Sequence, residues 1–323
     1  MKLTAREKEI VEALQKEPLI SQDELALQFG ISRSSVAVHI SNLMKKGIIL
    51  GKGYVFNQKV SIVVVGQVGL EIRVQEESDT TSIDMQHAGF GLDLCRVLSS
   101  FGVSPKLITV VGNDELGSSI LDDLQAWEAD INNIFRHPEH RTCKKIVSNR
   151  GLNLSEGCSQ QEFQQAIEAR EWVVTNCDYL IVEPAFQEFV ADKIAERQGS
   201  TPCLCGNWFC QGAMPAILRR CGLVVLGVRD FQDYDAYVNK GLELLEAGTK
   251  NCIITDGASN MVLVNAEGIR DYPLLPNQNF DSRRDLDVLM AGLVYGLSAR
   301  YPFRQALRIA SGAAHSGRGK GTD

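Results

Sequence analysis

The stretch "DSRRDLDVLMAGLVYG", residues 281–296, begins as a loop and ends as a helix with small residues on one face. Asp287 stands where the loop meets the first helical turn. A loop that binds an anion at such a junction is usually rich in glycine, because glycine lets several backbone N–H groups crowd around the anion. This loop instead carries Arg283, Arg284, Asp285 and Leu286. The stretch therefore has the frame of an anion-binding loop without its glycines.

From residue 60 onward, short apolar runs alternate with segments of helical periodicity. Three such runs are "VSIVVVGQVG" (60–69), "SPKLITVVG" (104–112) and "CGLVVLGV" (221–228). Continuous apolar runs are typical of parallel strands that are buried on both faces. We therefore predict an α/β domain with a mainly parallel sheet between two helix layers, in which ligands bind at the carboxyl ends of the strands.

The order of these elements, together with three motifs, resembles the ribokinase-like (PfkB-type) family of sugar and nucleoside kinases along almost all of residues 60–317. The segment "HAGFGLDLCRVLSSFG" (87–102) is similar to the family's glycine-containing substrate segment, and "VVGNDELGSSIL" (110–121) to its G-x-D-x-x-G helix entry. The segment "MAGLVYGL" (290–297) is similar to the helix that follows the family's D-T-x-G-A-G-D signature, and it sets the register. The resemblance implies a three-layer α/β/α domain over residues 59–323, with a small lid from about residues 70–88 and 142–153.

The resemblance also implies a ligand site and a catalytic base. In this register Asp287 stands at the general base, which takes the proton of the attacking hydroxyl during phosphoryl transfer. The positions implied for ligand contacts are Glu71, Gly89, Gly91, Asp93, Asp281, Arg283 and Arg284, and those implied for nucleotide phosphates are Thr255 and Gly257. Glu71 replaces the family's Asp, and Asp93 replaces its Asn. For the two arginines, contact with a phosphate on the ligand and a solvated loop are both open.

The same register shows departures from a working kinase. Arg284, Asp285 and Leu286 replace the glycine-alanine-glycine whose N–H groups stabilise the transferring phosphoryl group. Their side chains are expected to fill the space of the phosphates, and the backbone loses the positive φ that glycine permits. We therefore expect no efficient kinase. Asp287 is then a relic or weak general base, or a structural residue of the helix N-terminus.

The metal motif departs as well. Arg229 and Gln232 stand where the family's N-x-x-E motif organises Mg²⁺, so the carboxylate is lost unless Asp230 or Asp233 substitutes at a shifted register. We predict no metal site, and ATP and Mg²⁺ are cofactors only if the kinase interpretation holds.

The first 58 residues predict a winged helix-turn-helix. Helical patterns begin near Thr4, Ser21 and Ser32, and the second ends at Gly30, two residues before the third begins. The segment "IILGKGYVF" (48–56) then predicts a two-strand hairpin with Lys52 at its tip. Residues 1–59 hold nine Lys or Arg and six Asp or Glu, a net charge of +3, whereas the whole chain has −7 and the remainder therefore −10.

A basic head on an acidic body favours contact with a polyanion. The head resembles those of bacterial regulators, which implies a double-stranded DNA operator as partner. Candidate DNA contacts are Ser32, Arg33, Ser34, Ser35, His39 and Lys52, with Arg33 as the candidate base reader. A winged-helix module for protein contacts is the alternative.

Composition excludes other classes of protein. No run of 18 apolar residues occurs, which predicts no membrane span, and the charged N-terminus is unlike a signal peptide. Nine cysteines without a paired framework predict a reducing cytoplasm. Their densest cluster, "CLCGNWFC" (203–210), has no nearby histidine and is a poor zinc signature.

Three hypotheses follow for the function. The first is a homodimeric transcription regulator whose degenerate kinase-like domain senses a sugar, a nucleoside or a phosphorylated metabolite. The second is an active ATP-dependent sugar or nucleoside kinase, for example of a pseudouridine-like nucleoside, with a DNA-binding head. The third is a scaffold in which the body only pairs the DNA-binding heads.

Overall fold

A computed structural model describes residues 4–16, 20–45, 49–51, 55–56, 60–77, 80–196 and 201–318. The chain forms two compact units, Met1–Lys59 and Val60–Asp323, here called the head and the body. Among the described residues, no helix has the length and apolar character needed to cross a membrane.

The head contains three helices and a short hairpin, as the sequence predicted. The helices are α1 (Ala5–Lys16), α2 (Gln22–Phe29) and α3 (Arg33–Lys45), and the antiparallel strands are β1 (Ile49–Gly51) and β2 (Val55–Phe56). A capping box between Ser21 and Glu24 begins α2, and Gly30 ends it in the left-handed conformation with φ 62°. The head has a small core of its own, made by Ile10, Leu14, Leu25, Val36, Ile40 and Leu43. Lys52, the predicted hairpin tip, lies outside the described residues.

The body is built on a nine-stranded sheet. Its strand order is β15-β14-β13-β12-β11-β10-β3-β6-β7, with β14 and β15 antiparallel at one edge and the others parallel. The strands are β3 (Ile62–Val65), β6 (Lys106–Gly112), β7 (Ile134–His137), β10 (Tyr179–Val182), β11 (Cys203–Phe209), β12 (Leu223–Gly227), β13 (Asn251–Thr255), β14 (Asn260–Asn265) and β15 (Gly268–Pro273). All residues of β3 and β12 are buried, as expected for strands covered on both faces.

Two layers of helices cover this sheet. The helices are α4 (Phe90–Ser100), α5 (Glu115–Ala126), α6 (Gln160–Glu168), α7 (Glu171–Thr175), α8 (Gln187–Ala195), α9 (Tyr234–Glu246), α10 (Leu286–Ser298) and α11 (Phe303–Arg318). One core cluster contains residues of α4, α5, α10 and α11, and a second contains residues of α6, α7, α8 and α9. The predicted three-layer α/β/α architecture is therefore confirmed.

The small residues of α10 let it pack closely on α11. A Cβ atom at Gly292 would lie 2.8 Å from the Cα of Ala310, and one at Gly296 would lie 2.7 Å from the Cα of Ala306. Side chains at these two positions would force the helices apart. The stripe of small residues noted in the sequence is therefore a helix-packing surface.

A separate four-stranded sheet forms the predicted lid. Its order is β5-β4-β8-β9, with strands β4 (Gly69–Glu76), β5 (Thr81–Ala88), β8 (Cys143–Ser148) and β9 (Asn153–Glu156). The register aligns Met85, Ile72, Ile146 and Leu154 in one cross-strand row. Val74 pairs with Ile83 in the next row on the same side. We call these six residues the apolar lid face; Ile83 and Met85 are each 64% exposed, and Leu154 is 54% exposed.

Candidate functional site

Four carboxylates come together at the carboxyl edge of the central sheet. Glu183 follows β10, Asp93 lies in the first turn of α4, Asp287 in the first turn of α10, and Glu71 in the lid strand β4. Electrostatic interactions link Asp93 with Glu71 and Asp287, and Glu183 with Asp287. The fold therefore brings together three residues that the sequence singled out and one, Glu183, that it did not.

Hydrogen bonds hold two of these carboxylates, Asp287 and Glu183, in place. Asn207 of β11 donates from Nδ2 to Asp287 Oδ1 at 2.6 Å, and the backbone N–H of Gln67 donates to Glu183 Oε2 at 2.7 Å. Asn207 and Glu183 were both missed by the sequence analysis. Each is a polar residue at the carboxyl end of a buried parallel strand, which is the signal that would have found it.

Burial raises the pKa of three of these carboxyl groups. It is the main cause of the raised pKa of Asp287, which the hydrogen bond from Asn207 partly offsets. It also raises the pKa of Asp93 against the opposing charge of Arg96, and the pKa of Glu183, which the charge of Asp287 raises further. Glu71 lies in direct contact with the guanidinium of Arg73. Such a group of acceptors, held near cations, suits a ligand that donates several hydrogen bonds.

Gly89 and Gly91 lie against the loop that follows β3. A Cβ at Gly89, whose φ is 122°, would lie 2.7 Å from the carbonyl oxygen of Gln67, and one at Gly91 would lie 2.9 Å from that of Gly66. The N–H of Gly91 donates to the carbonyl of Gln67 at 2.9 Å. Both glycines are therefore required for this close backbone approach, whether or not a ligand is bound.

The loop before Asp287 is closed by its own residues. The Oδ1 atom of Asp281 accepts from the N–H groups of Arg283 and Arg284 at 2.8 and 3.3 Å. The carbonyl oxygen of Asp281 accepts from the N–H groups of Arg284 and Asp285 at 3.1 and 2.9 Å. The N–H groups at the first two of the family's glycine-alanine-glycine positions are thus already satisfied inside the loop.

The side chains of this loop do not all occupy the places expected from the sequence. Leu286 is 4% exposed and belongs to the core, where a Cβ at Gly227 would lie 3.0 Å from its Cδ1 atom. The expectation that it fills phosphate space is therefore wrong. Arg283 and Arg284 are exposed, with the guanidinium of Arg283 5.7 Å from the ring centroid of Phe209. No residue of the loop adopts a positive φ, so the missing glycines cause no backbone strain.

In the turn between β13 and β14, a carboxylate of the chain likewise accepts hydrogen bonds from the backbone N–H groups. Oδ1 of Asp256 accepts from the N–H groups of Ala258, Ser259 and Asn260 at 2.9, 2.8 and 3.2 Å. Oδ2 of Asp256 accepts from the hydroxyl of Ser259 at 2.5 Å. Burial acts to raise the pKa of Asp256, but the hydrogen bonds from these residues outweigh it and hold the pKa below its ordinary value.

Thr255 and Gly257, the two predicted nucleotide contacts, take part in the same turn. The hydroxyl of Thr255 donates to the carbonyl of Asn260 at 3.0 Å and accepts from the N–H of Gly257 at 3.0 Å. A Cβ at Gly257, whose φ is 70°, would lie 2.4 Å from the carbonyl oxygen of Phe280. The turn therefore packs directly on the start of the loop described above. Asp256, at its centre, was not singled out in the sequence.

The residues at the expected Mg²⁺ motif do not fit a magnesium site. Arg229 and Gln232 are exposed, and the first is a cation where the ion would need an oxygen ligand. Asp230 accepts from the N–H of Gln232 at 3.0 Å, and Asp233 is exposed. Neither aspartate belongs to a group with metal-binding geometry within the described ranges.

Within those ranges, one group does place three potential metal ligands close together. The ligand atoms of His137, His140 and Glu162 lie within 4.8 Å of one another. However, Nδ1 of His137 accepts from the N–H groups of Glu139 and His140 at 3.2 and 3.0 Å. A neutral imidazole that accepts at Nδ1 carries its proton on Nε2, which lies 3.2 Å from Glu162 Oε1. His137 thus has no free lone pair at Nε2, and the group is a hydrogen-bonded tie between α6 and the segment before the lid.

In the head, the candidate DNA contacts cluster at the start of α3. The hydroxyl of Ser32 accepts from the N–H of Ser35 at 3.1 Å, and it lies 2.8 Å from the hydroxyls of both Ser34 and Ser35. Arg33 is exposed, with its Nε 3.6 Å from Asp23, and His39 is half-buried. The three serines therefore cap the helix together, while the guanidinium of Arg33 faces solvent.

Comparison with known proteins agrees with this division into head and body. A winged helix-turn-helix DNA-binding family model matches residues 3–49, and a pfkB family carbohydrate kinase model matches residues 59–207. The chain is 27% identical over 354 aligned positions to the uncharacterized sugar kinase YeiI of Escherichia coli (strain K12), covering 98% of this chain and 94% of that protein.

Solved structures share the fold of the body. The ribokinase of Thermotoga maritima matches 80% of this chain and 95% of its own, with a TM-score of 0.61 and 16% identity. A Burkholderia thailandensis nucleoside kinase, solved with inosine, matches 79% of this chain and 90% of its own, with a TM-score of 0.58 and 13% identity. Fold and site together define a ribokinase-like α/β domain preceded by a winged helix-turn-helix. Over residues 59–207 the body is similar to the pfkB family of carbohydrate kinases.

Proposed function

We propose that this protein is a DNA-binding transcription regulator whose kinase-like body binds a hydroxyl-rich metabolite without efficient phosphoryl transfer. One observation carries the proposal: in both turns where the resemblance implies phosphates, N–H groups already donate to oxygen atoms of the chain itself, a carboxylate among them. Asp281 fills the loop before Asp287, and Asp256 fills the β13–β14 turn.

A filled turn opposes phosphate binding in two ways. Its N–H groups must first lose their internal acceptors, and the carboxylate adds a negative charge next to a polyanion. Loss of one donor to the transition state typically slows a reaction by about 10²–10³-fold. Arg229 and Gln232 also offer no carboxylate to the metal ion that neutralises phosphates in phosphoryl transfer.

In contrast to the two turns, the edge of the sheet keeps polar groups that can bind a ligand. Glu71, Asp93, Glu183 and Asp287 offer carboxylate acceptors around one edge of the sheet. Hydroxyl groups of a sugar or nucleoside are the donors that such acceptors suit. The names of the similar proteins, a sugar kinase and a nucleoside kinase solved with inosine, support the same ligand classes. A phosphate on the ligand would meet Arg283 and Arg284, which are exposed.

In this proposal the head is the part of the regulator that binds DNA. Its helix α3 has no acidic residue and begins with the exposed Arg33, which suits contact with base edges or phosphates. Regulators of this type commonly bind two-fold operators as dimers. The apolar lid face is exposed on each copy and provides a surface through which two copies pair.

Operator selection with the full-length chain, followed by ligand titration of the operator complex, tests the proposal. We expect a defined operator, and a change in its affinity with at least one member of a panel of sugars, nucleosides and their phosphates. Absence of any preferred DNA sequence would refute the regulator.

An active kinase is the second candidate, because Asp287 stands at the base position with its partner Asn207 in place. Release of ADP from Mg-ATP in the presence of a panel member separates the two candidates. Turnover that disappears in Asp287→Asn would establish the kinase and overturn the loss of phosphoryl transfer. We expect no turnover above that of Asp287→Asn, and no Mg-dependent rise in melting temperature with ATP.

A further inference from the structure

The exposed side of α3 has an apolar centre. Val38 is 58% exposed, and its neighbour Ala37 is also exposed. Ser34 and Ser41 lie on the same side at a spacing of three to four residues, and both are exposed. The outward face of this helix is therefore small and uncharged between Arg33 at its start and Met44 near its end.

Folding of the head does not account for Val38. The buried side of α3 is made by Val36, Ile40 and Leu43, which complete the core of the head. Valine loses side-chain freedom in a helix and has a lower helix propensity than alanine. Its exposed methyl groups gain nothing from burial in the head. A single exposed apolar residue is common on proteins, but this one lies on the helix that a winged helix-turn-helix presents to the major groove.

The hydrogen bonds at the start of α3 also favour Val38 as a contact residue. The hydroxyls of Ser34 and Ser35 each lie 2.8 Å from the hydroxyl of Ser32, so they are used in capping the helix. Val38 remains as the larger side chain in the middle of the outward face, and Arg33 is exposed at the start of the helix. Because Ala37 and Ser41 are small, the helix can approach the floor of a groove closely at this point.

We propose, given the DNA-binding function proposed above, that Val38 contacts the C5-methyl group of a thymine in the operator and sets the base preference at that position. The thymine methyl is the apolar feature of the major groove, and aliphatic side chains recognise it by contact. Arg33, exposed at the start of the same helix, suits a nearby phosphate or guanine. The operator half-site has a thymine at the position that Val38 meets.

A uracil scan of the selected operator tests this assignment with the full-length chain. Each thymine is replaced singly by uracil, which removes only the methyl group. For the wild type, we expect one replacement to weaken binding about three- to five-fold, as loss of one methyl contact should. Val38→Ala should bind the unmodified operator about three- to five-fold more weakly and should no longer respond to that replacement.

The control variant is Leu27→Ala, because Leu27 is 84% exposed on α2 of the same head. It should keep the full response to uracil. Val38→Ala replaces valine by a better helix former, so its melting temperature should be unchanged or higher, which separates a lost contact from a lost fold.

Other results overturn the assignment in distinguishable ways. An operator that is bound but insensitive to uracil at every position removes the thymine contact while leaving the regulator intact. A uracil response that persists in Val38→Ala shows that another side chain reads the methyl group. Failure to select any operator overturns both the assignment and the DNA-binding function.

Discussion

The backbone N–H of Asp281 donates to the carboxylate of Asp285 at 2.8 Å, while the N–H of Asp285 donates to the carbonyl of Asp281 at 2.9 Å. These two reciprocal bonds close the loop before α10 on itself. They also direct the following residue, Leu286, away from the ligand site and into the core. The loop is thus a tightly bonded turn with a hydrophobic anchor.

Leu286→Ala should therefore lower the free energy of unfolding by about 2–5 kcal/mol, because it removes buried methyl groups and leaves a cavity beside Gly227. Denaturant unfolding of the full chain measures the change. Leu275→Ala is the control, since Leu275 is 39% exposed and its truncation should cost about 1 kcal/mol or less. An equal effect of the two variants would contradict the core position of Leu286.

Asp256→Asn should weaken the β13–β14 turn at neutral pH, because its hydrogen bonds to three N–H groups lose their charged acceptor. We expect a loss of about 1 kcal/mol. The folded pKa of Asp256 is lowered. Its contribution is therefore present above the unfolded pKa of about 3.9 and is lost as the pH falls through the folded value.

Thermal unfolding of wild type and Asp256→Asn from pH 7 down to about pH 3 measures this dependence, and their melting temperatures should converge in acid. Asp122→Asn, at an exposed position of α5, serves as the control for loss of a charge. A constant gap across this range would show that Asp256 does not stabilise the turn through its charge.

Asp287→Asn should change the pH dependence of stability in the opposite direction, because it removes a carboxyl group whose pKa is raised on folding. Burial raises the folded pKa of Asp287 above its unfolded value. Below the unfolded pKa both states are protonated and no penalty exists; as the pH rises through the folded pKa, the fold must hold a buried charge and loses stability. The variant should therefore melt at a higher temperature than wild type at pH 7–8, with the difference closing toward about pH 4. A variant that is less stable at neutral pH would instead assign Asp287 a structural role at the helix N-terminus.

Arg300→Gly should stabilise the body by about 1 kcal/mol. Arg300 follows α10 with φ 59°, a left-handed conformation that glycine adopts without steric cost, and the N–H of Tyr301 closes the helix end on Gly296 at 3.0 Å. The matched control is Arg308→Gly at an exposed position within α11, which should cost about 1 kcal/mol. Opposite signs of the two shifts in denaturant midpoint are expected; the same sign would argue against strain at Arg300.

Met85→Lys should shift the protein toward monomers, because it places a charge on the most exposed part of the apolar lid face, at the edge strand β5. Ser82→Lys adds the same charge to the same strand on the opposite side of the lid, and it should leave the assembly unchanged. Sedimentation velocity over a range of protein concentrations measures the outcome. If the wild type stays monomeric at all concentrations, the proposed dimer through the lid is contradicted.

Much of the fold was accessible from the sequence because its signals are periodic. Continuous apolar runs identified the parallel strands, and the small residues of α10 identified a packed helix, now explained by Gly292 and Gly296 against α11. The capped helices of the head follow from Ser21, Glu24 and Gly30 in the same way. Each of these features depends on residues close together in the chain.

The candidate site was less accessible because it depends on side-chain direction and on contacts between distant segments. Nothing in the sequence shows that Leu286 turns into the core, since a loop–helix junction has no fixed periodicity. The pairing of Asn207 with Asp287 joins residues 80 positions apart. The role of Asp256 depends on three N–H groups converging in a single turn. The resemblance pointed to Thr255 and Gly257 in that turn but did not reveal Asp256 as its internal acceptor.

The contact of Leu286 with Gly227 also limits how this lineage can change. Glycine at position 286 would remove a core side chain from its contact with Gly227, while Asp256 would still fill the β13–β14 turn and Arg229 would keep its place. For the regulator proposed above, a single substitution toward the glycine loop would therefore lower stability and give no activity in return. Leu286 would then act as an evolutionary ratchet, since several simultaneous changes would be needed before selection could favour phosphoryl transfer.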